Sequence, residues 1–559
     1  MTATVDLVVT GTIVNVNTAT LDDGAVAIDN GEIVALAERP ADTVIETNYI
    51  APGLIDAHVH VESSMVTLPR YAAAVIPRGV TSIIHDPHEI GNVLGAAGVR
   101  SLLSDAADSP LKARIVVPSS VPASHLQDGG ATIDVADVAS LLDEERVVAL
   151  GEVMNIPGLL AGDESVHGKI KAARKRGMTV DGHMPRVRGS DLQEAARFLD
   201  NDHESITLEE AREKVHAGLR VYLREGSSSK NLEELVPLID EVDTRRLSLC
   251  TDDRDVVDLI EHGGIDAVVR KAIDLGVDPI TTVQLATINT AESYGLPFGR
   301  IEPGAPADLV LLSDLETWSV EHTLIDGIVD PVETAAGEPT TSAIATDTVQ
   351  FEPVEAPDLA LSVEGTDPVE VRVIDAVGGL QTSRATGTVP VEDGRLDANL
   401  EDDILPLAVI ERHDGGGSIG RGFVHGLGLD RGAIASTVAH DAHNCIVAGV
   451  DHEAMARVAN DLRAVEGGIA TYDPETDSVT SLSLPVAGLM SDQPLATVKE
   501  QFEAVEQAAR GIGLDHPGGF MELSFLALEV IPEYRLSNRG LVDVESFDFV
   551  EVIVSQGDD

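Results

Sequence analysis

Between about residue 50 and residue 300, short runs of β-branched and aliphatic residues alternate with longer stretches of helical period. The runs 50–60, 80–85, 113–117, 147–153, 178–183, 198–203, 219–224 and 247–251 read as strands. Amphipathic stretches such as 165–176, 208–217 and 232–242 read as helices between them. Eight strands at intervals of roughly 20 to 35 residues predict a (β/α)8 TIM barrel over residues 51–299. Residues 1–50 instead alternate apolar and polar positions, with Asp29-Asn30-Gly31 as a hairpin turn. Residues 300–345 return to short strands and are expected to complete that sheet as one composite domain of the β-sandwich type. The stretch 339–372, rich in Thr, Ala, Pro and Glu, reads as a linker, and 370–559 as an extra C-terminal α+β domain.

Polar residues collect where the barrel strands end, which is where barrel active sites sit. His58 and His60 are two apart in a strand, so their side chains share one face. Alone, His-x-His is as compatible with two buried core histidines as with a metal site. Further candidates follow at later strand ends: Glu152, His183, His203 and Asp252. Six ligands exceed what one tetrahedral ion with an open position needs. They suit two divalent ions, one on His58, His60 and Asp252, the other on His183 and His203, with Glu152 bridging. Imidazole and carboxylate ligands without thiolate suit Mn²⁺, Fe²⁺ or Zn²⁺. A hydroxide between two such ions forms near neutral pH and attacks an sp² carbon bearing a nitrogen leaving group. Asp252 is the candidate to carry the proton from that water to the departing nitrogen; the bland alternative is a helix cap. Glu62, His88, Glu89, Arg224, Glu225 and Ser227, also at strand ends, are candidates to contact substrate or to support the ligands. His440, Asp441 and His443 form a dense polar cluster after a β-branched run and are further candidates.

Composition narrows the class. A chain of 559 residues with 43% hydrophobic content supports roughly two to four domains. Two cysteines, Cys250 and Cys445, supply neither a disulfide framework nor the thiolate zinc site of cytidine deaminases. The 38 basic against 95 acidic residues give a net charge of −57, which repels nucleic-acid phosphates. The acid is spread along the whole chain, as adaptation to high salt would require. No apolar run is long enough to span a bilayer and no signal core opens the chain, so a cytoplasmic enzyme is expected.

The stretch Ala51-Pro-Gly-Leu-Ile-Asp-Ala-His-Val-His60 resembles the signature of the amidohydrolase superfamily. More narrowly, Asp86-Pro-His-Glu-Ile-Gly-Asn-Val93, Gly151-Glu-Val-Met-Asn155, Asp181-Gly-His-Met-Pro185, Cys250-Thr-Asp-Asp-Arg254 and Ala439-His-Asp-Ala-His-Asn444 resemble the adenine deaminase branch, over nearly the whole chain. The resemblance implies hydrolysis of adenine to hypoxanthine and ammonia in purine salvage, by a metal-bridging hydroxide attacking C6. It implies a two-metal centre of Mn²⁺ or Fe²⁺, with Glu152 where many relatives carry a carboxylated lysine. Two departures from the family pattern, Ser120 for Cys and Ala442 for Ser, touch no proposed ligand. A homo-oligomer is expected. The competing expectations are a hydantoinase- or dihydroorotase-like hydrolase and a silent relative that binds metal or purine without turnover.

Overall fold

The computed structural model describes residues 4–331, 340–378 and 381–554. They fall into two compact units, one of residues 4–87, 100–119, 134–331 and 340, the other of 88–99, 120–133, 341–378 and 381–554.

In the first unit, the N-terminal strands and the strands after residue 300 make one seven-stranded sheet. Its order is Ile328–Val329, Ser319–Ile325, Leu309–Asp314, Ala41–Pro52, Val5–Asn15, Thr20–Asp29, Glu32–Ala35. Period-two alternation buries both faces. Leu7, Val9, Val26 and Ile28 pack on one, Val8, Ala25 and Ala27 on the other. Asp29 pairs with Glu32, and Asn30 (φ 51°) and Gly31 (φ 82°) are both left-handed, as a two-residue hairpin turn requires.

Through Gly53 the chain passes from this sheet into the barrel. Parallel strands Leu54–His60, Val80–His85, Lys112–Val117, Val147–Val153 and Thr179–Gly182 follow in spatial order. Asn201–Asp202, Arg220–Arg224 and Leu247–Cys250 form a separate sheet of three parallel strands packed between Thr179–Gly182 and Leu54–His60, and Asp252–Asp253 pairs back onto Leu54–His60. The eight strands expected from the sequence are thus those of a (β/α)8 barrel. Every residue of Leu54–His60 and Val80–His85 is buried, as in a parallel sheet covered on both faces.

Local differences have local causes. The expected strand at 198–203 forms only at Asn201–Asp202, because Phe198 and Leu199 still bond back to Ala195 in a helical turn. The expected helix at 232–242 is α-helical only over Leu232–Leu235 and then tightens to a 3₁₀ turn over Val236–Asp240, where Pro237 offers no N–H.

The second unit is built on an eight-stranded sheet of mixed direction. Helices His452–Ala464 and Leu495–Gly511 lie on it. Part of the stretch read as a linker belongs to this core: Val349, Phe351 and Val354 pack with Ile410, Val447 and Met455. Residue 339 of that stretch lies outside the described residues, as do residues 332–338 before it.

Candidate metal centre

Four of the six expected ligands meet at the end of the first barrel strand. His58 Nε2 and His60 Nε2 are 3.0 Å apart. Asp252 Oδ1 lies 3.3 Å from His58 Nε2 and 3.1 Å from His60 Nε2. Glu152 Oε1 lies 3.6 Å and 3.2 Å from the same two nitrogens. The other oxygen of Glu152 faces the remaining pair, with His183 Nδ1 at 2.6 Å and His203 Nε2 at 3.4 Å. Glu152 therefore touches both histidine pairs, one through each oxygen. The rings of His58 and His203 stack with centroids 3.9 Å apart.

Neighbouring groups fix the orientation of these side chains. His60 Nδ1–H donates to the Asp86 carbonyl at 2.8 Å, so the Nε2 lone pair points into the cluster. Asp86 Oδ2 accepts the Glu152 N–H at 3.0 Å. A side chain at Gly151 would overlap that carboxylate, so the close approach requires glycine. Asp56 accepts from the Thr251 N–H at 3.0 Å and its hydroxyl at 2.6 Å, tying the eighth strand to the first just before Asp252. Asp252 itself sits at φ 60°, a left-handed conformation that Asp tolerates better than most residues.

Lys214 fastens the two histidine-bearing loops. It lies in the helix Leu208–His216, fully buried, and donates to Met184 O at 2.7 Å, Asp202 Oδ2 at 2.7 Å and Glu210 Oε1 at 2.8 Å. Asp202 also accepts from the N–H groups of Met184 and Glu204. Its network thus flanks His183 on one loop and His203 on the other. Sequence reasoning missed Lys214. The available signal was a lysine on the buried face of a helix, in a chain with eight lysines.

The electrostatics suit divalent cations. Burial pushes Glu152 up, but His183 and its neighbours more than reverse this and hold it well below the usual range. Asp252 is likewise pushed up by burial and pulled well below its usual value by Arg224 and the histidines. Burial lowers His58, yet Asp252 and Glu152 raise it to about 10. Burial also lowers His183, and Glu204 and Glu152 raise it to about 9. Without cations the carboxylate charge is thus met by protons on imidazoles. Exchange of those protons for metal is the chemistry of an imidazole–carboxylate site. The trios His58–His60–Glu152, His58–His203–Asp252 and Glu152–His183–His203 each bring three ligand atoms within 4.8 Å of one another. The residues present fit a divalent metal centre.

Arg224 lies beside this centre, donating to Asp252 Oδ2 at 2.6 Å and to Glu204. Glu62 sits 3.5 Å from His85 Nε2. Glu225 pairs with Lys271 at 2.6 Å, and Ser227 donates to Asp258 at 2.7 Å and accepts the Asp255 N–H. None of these contacts of Glu225 and Ser227 reaches a proposed ligand. In the second unit, His88, Glu89, His440, Asp441 and His443 form a cluster of their own, with Glu89 Oε1 2.9 Å from His440 Nδ1.

Comparison with known proteins agrees with this architecture. Residues 49–330 match the amidohydrolase family, and residues 380–548 match the adenine deaminase C-terminal domain. An adenine deaminase of Desulfatibacillum aliphaticivorans is 41% identical over 97% of this chain and 95% of its own length. One from Methanothrix thermoacetophila is 40% identical over 97% and 96%. One from Methanothermobacter thermautotrophicus is 41% identical over 97% and 98%. With a barrel, a two-sided histidine–carboxylate cluster and relatives matched along nearly its whole length, the chain belongs to the adenine deaminases of the amidohydrolase family.

Proposed function

We infer that the chain hydrolyses adenine to hypoxanthine and ammonia, the activity its relatives are named for. One observation carries the reading on the structural side: Glu152 meets His58 and His60 through one oxygen and His183 and His203 through the other. His58, His60 and Asp252 would hold one ion, His183 and His203 the second, with Glu152 common to both. Mn²⁺ or Fe²⁺ is the proposed pair, with Zn²⁺ as the alternative. When bound, the cations supply positive charge that acidifies water and polarises the base.

The protein's own groups then have distinct tasks. Asp252 Oδ2 is held by Arg224, so Oδ1 is the atom turned toward the histidines. Oδ1 takes a proton from the attacking water and passes it to the exocyclic nitrogen as the C6–N bond breaks. The second water proton ends on ring N1, so the water oxygen becomes the carbonyl oxygen of hypoxanthine, and ammonia leaves. Arg224 and Glu62 are the proposed purine contacts in this unit. Glu225 and Ser227, with their salt bridge and hydrogen bonds, are proposed as support.

Two readouts on the Mn²⁺-loaded chain, ammonia release from adenine and chromatographic loss of the ring-closed substrate for hydantoin and dihydroorotate, separate this reading from a cyclic-amide hydrolase. Adenine should be turned over, and hydantoin and dihydroorotate should not. Activity on a cyclic amide alone would reverse the assignment, and adenine binding without ammonia would mark a silent relative.

The remaining proposals concern setting. A net charge of −57 fits a cytoplasmic enzyme of a high-salt cell that binds no nucleic acid. Among the described residues, no helix is long and apolar enough to cross a membrane. A melting temperature unchanged between low salt and molar KCl would count against the salt proposal. A homo-oligomer is proposed, and gel filtration with light scattering decides it.

A further inference from the structure

The polar cluster of the second unit has the make-up of a metal site and uses none of the barrel's ligands. Glu89 and His88 stand at the start of the helix His88–Asp108, and His440 and Asp441 lie on the turn after the strand Ala433–Ser436. Glu89 Oε1 is 2.9 Å from His440 Nδ1 and 3.4 Å from His88 Nε2. Asp441 Oδ1 is 3.8 Å from His440 Nδ1 and 4.0 Å from His88 Nε2. A cation about 2.1 Å from four tetrahedral ligands requires them to be about 3.4 Å apart. The four distances bracket that value.

His443 completes the arrangement from outside. The Ala439 N–H donates to its Nδ1 at 3.2 Å, so neutral His443 carries its proton on Nε2 and gives it to Glu89 Oε2. A partner that donates to the outer oxygen of a ligating carboxylate orients that ligand.

The frame around the cluster is built and buried. The ring of His440 stacks on Phe525 with centroids 5.3 Å apart, and the His440 backbone N–H donates to Ser524 Oγ at 3.3 Å. Fully buried Arg412 donates to the carbonyls of His443, Thr348 and Ala487. Asn92 donates to the His88 carbonyl at 3.0 Å.

We propose that His88, Glu89, His440 and Asp441 bind one divalent first-row cation, which pins the helix His88–Asp108 to the turn that carries His440. Four protein ligands close the coordination sphere, so the ion is structural. The nitrogen and oxygen donors select Mn²⁺, Fe²⁺ or Zn²⁺ over a thiophilic ion.

Metal counting on the full-length chain tests this. The wild type is saturated with Mn²⁺, freed of excess, and compared with Glu89→Gln and Asp441→Asn. Each variant should hold one equivalent less than wild type, whatever the barrel holds. Equal metal content in wild type and in either folded variant overturns the proposal. Crystals of the wild type grown with Mn²⁺ give a second reading that needs no variant. An anomalous peak among Glu89, His440 and Asp441 supports the site, and its absence there overturns it. Peaks at His58 and His203 report on the barrel centre separately, so failure of one reading is distinct from failure of the other.

Discussion

Arg224 Nη1 donates to Asp252 Oδ2 at 2.6 Å, and both side chains are buried. The guanidinium thereby favours the ionised form of the carboxylate, the form the proposed proton transfer needs. In Arg224→Met the opposing push of burial acts with less restraint, and the Asp252 pKa rises. The acid limb of the kcat–pH profile should move toward neutral pH, with kcat at neutral pH lower by about 10- to 100-fold. An unmoved acid limb would disconnect Arg224 from the proton transfer.

Asp252→Asn removes the proposed proton carrier itself. Its kcat should fall by at least about 1000-fold while circular dichroism stays at wild-type values. A loss of less than tenfold would assign the proton to another group.

Lys214→Met should destabilise the fold by about 3–5 kcal/mol, because Asp202 and Glu210 would be left buried without their cation. Urea unfolding measures the cost. Adding Glu210→Gln removes one of the two stranded charges and should recover part of it. No recovery would mean that the lysine acts through packing alone.

Gly151→Ala forces a methyl group against Asp86 Oδ2 and the Val117 carbonyl. The expected loss is about 1–3 kcal/mol of stability. Because Glu152 is the next residue, metal content should fall with it. Retention of full metal content would show that Asp86 does not position Glu152.

The raised histidines fix a pH dependence for the metal-free chain. The pKa of His58 is about 10 and that of His183 about 9 when folded, against 6.5 for an unperturbed histidine. Groups with raised folded pKa values stabilise fully below the unfolded value and lose that contribution as pH rises through the folded values. The melting temperature of metal-free protein should therefore fall between about pH 6.5 and pH 10. Over the same window metal should bind more tightly, because fewer protons must be displaced. A melting temperature that rises across this range would contradict the assigned charges.

The barrel, and the strand-end positions of the candidate ligands, were legible because strand chemistry is local. His58 and His60 share a face by period two, and the other candidate ligands fall at the ends of recognisable strands. Asn30 and Gly31 announced their turn for an equally local reason. Contacts closed across the fold left no such mark. Lys214 reaches Met184 from thirty residues away, and Asp86 reaches the Glu152 N–H across sixty-six. Residues 88–99 and 120–133 fall within the barrel segment by sequence but pack with the second unit. Periodicity reports the face a residue presents, not the partner that covers it.

The most direct test of the two-sided centre is adenine turnover by Glu152→Gln, assayed by ammonia release after loading with Mn²⁺. If Glu152 links both histidine pairs, the rate should fall by at least about 1000-fold and barrel-bound metal should be lost with it. A rate within tenfold of wild type, with barrel metal retained, would contradict the account.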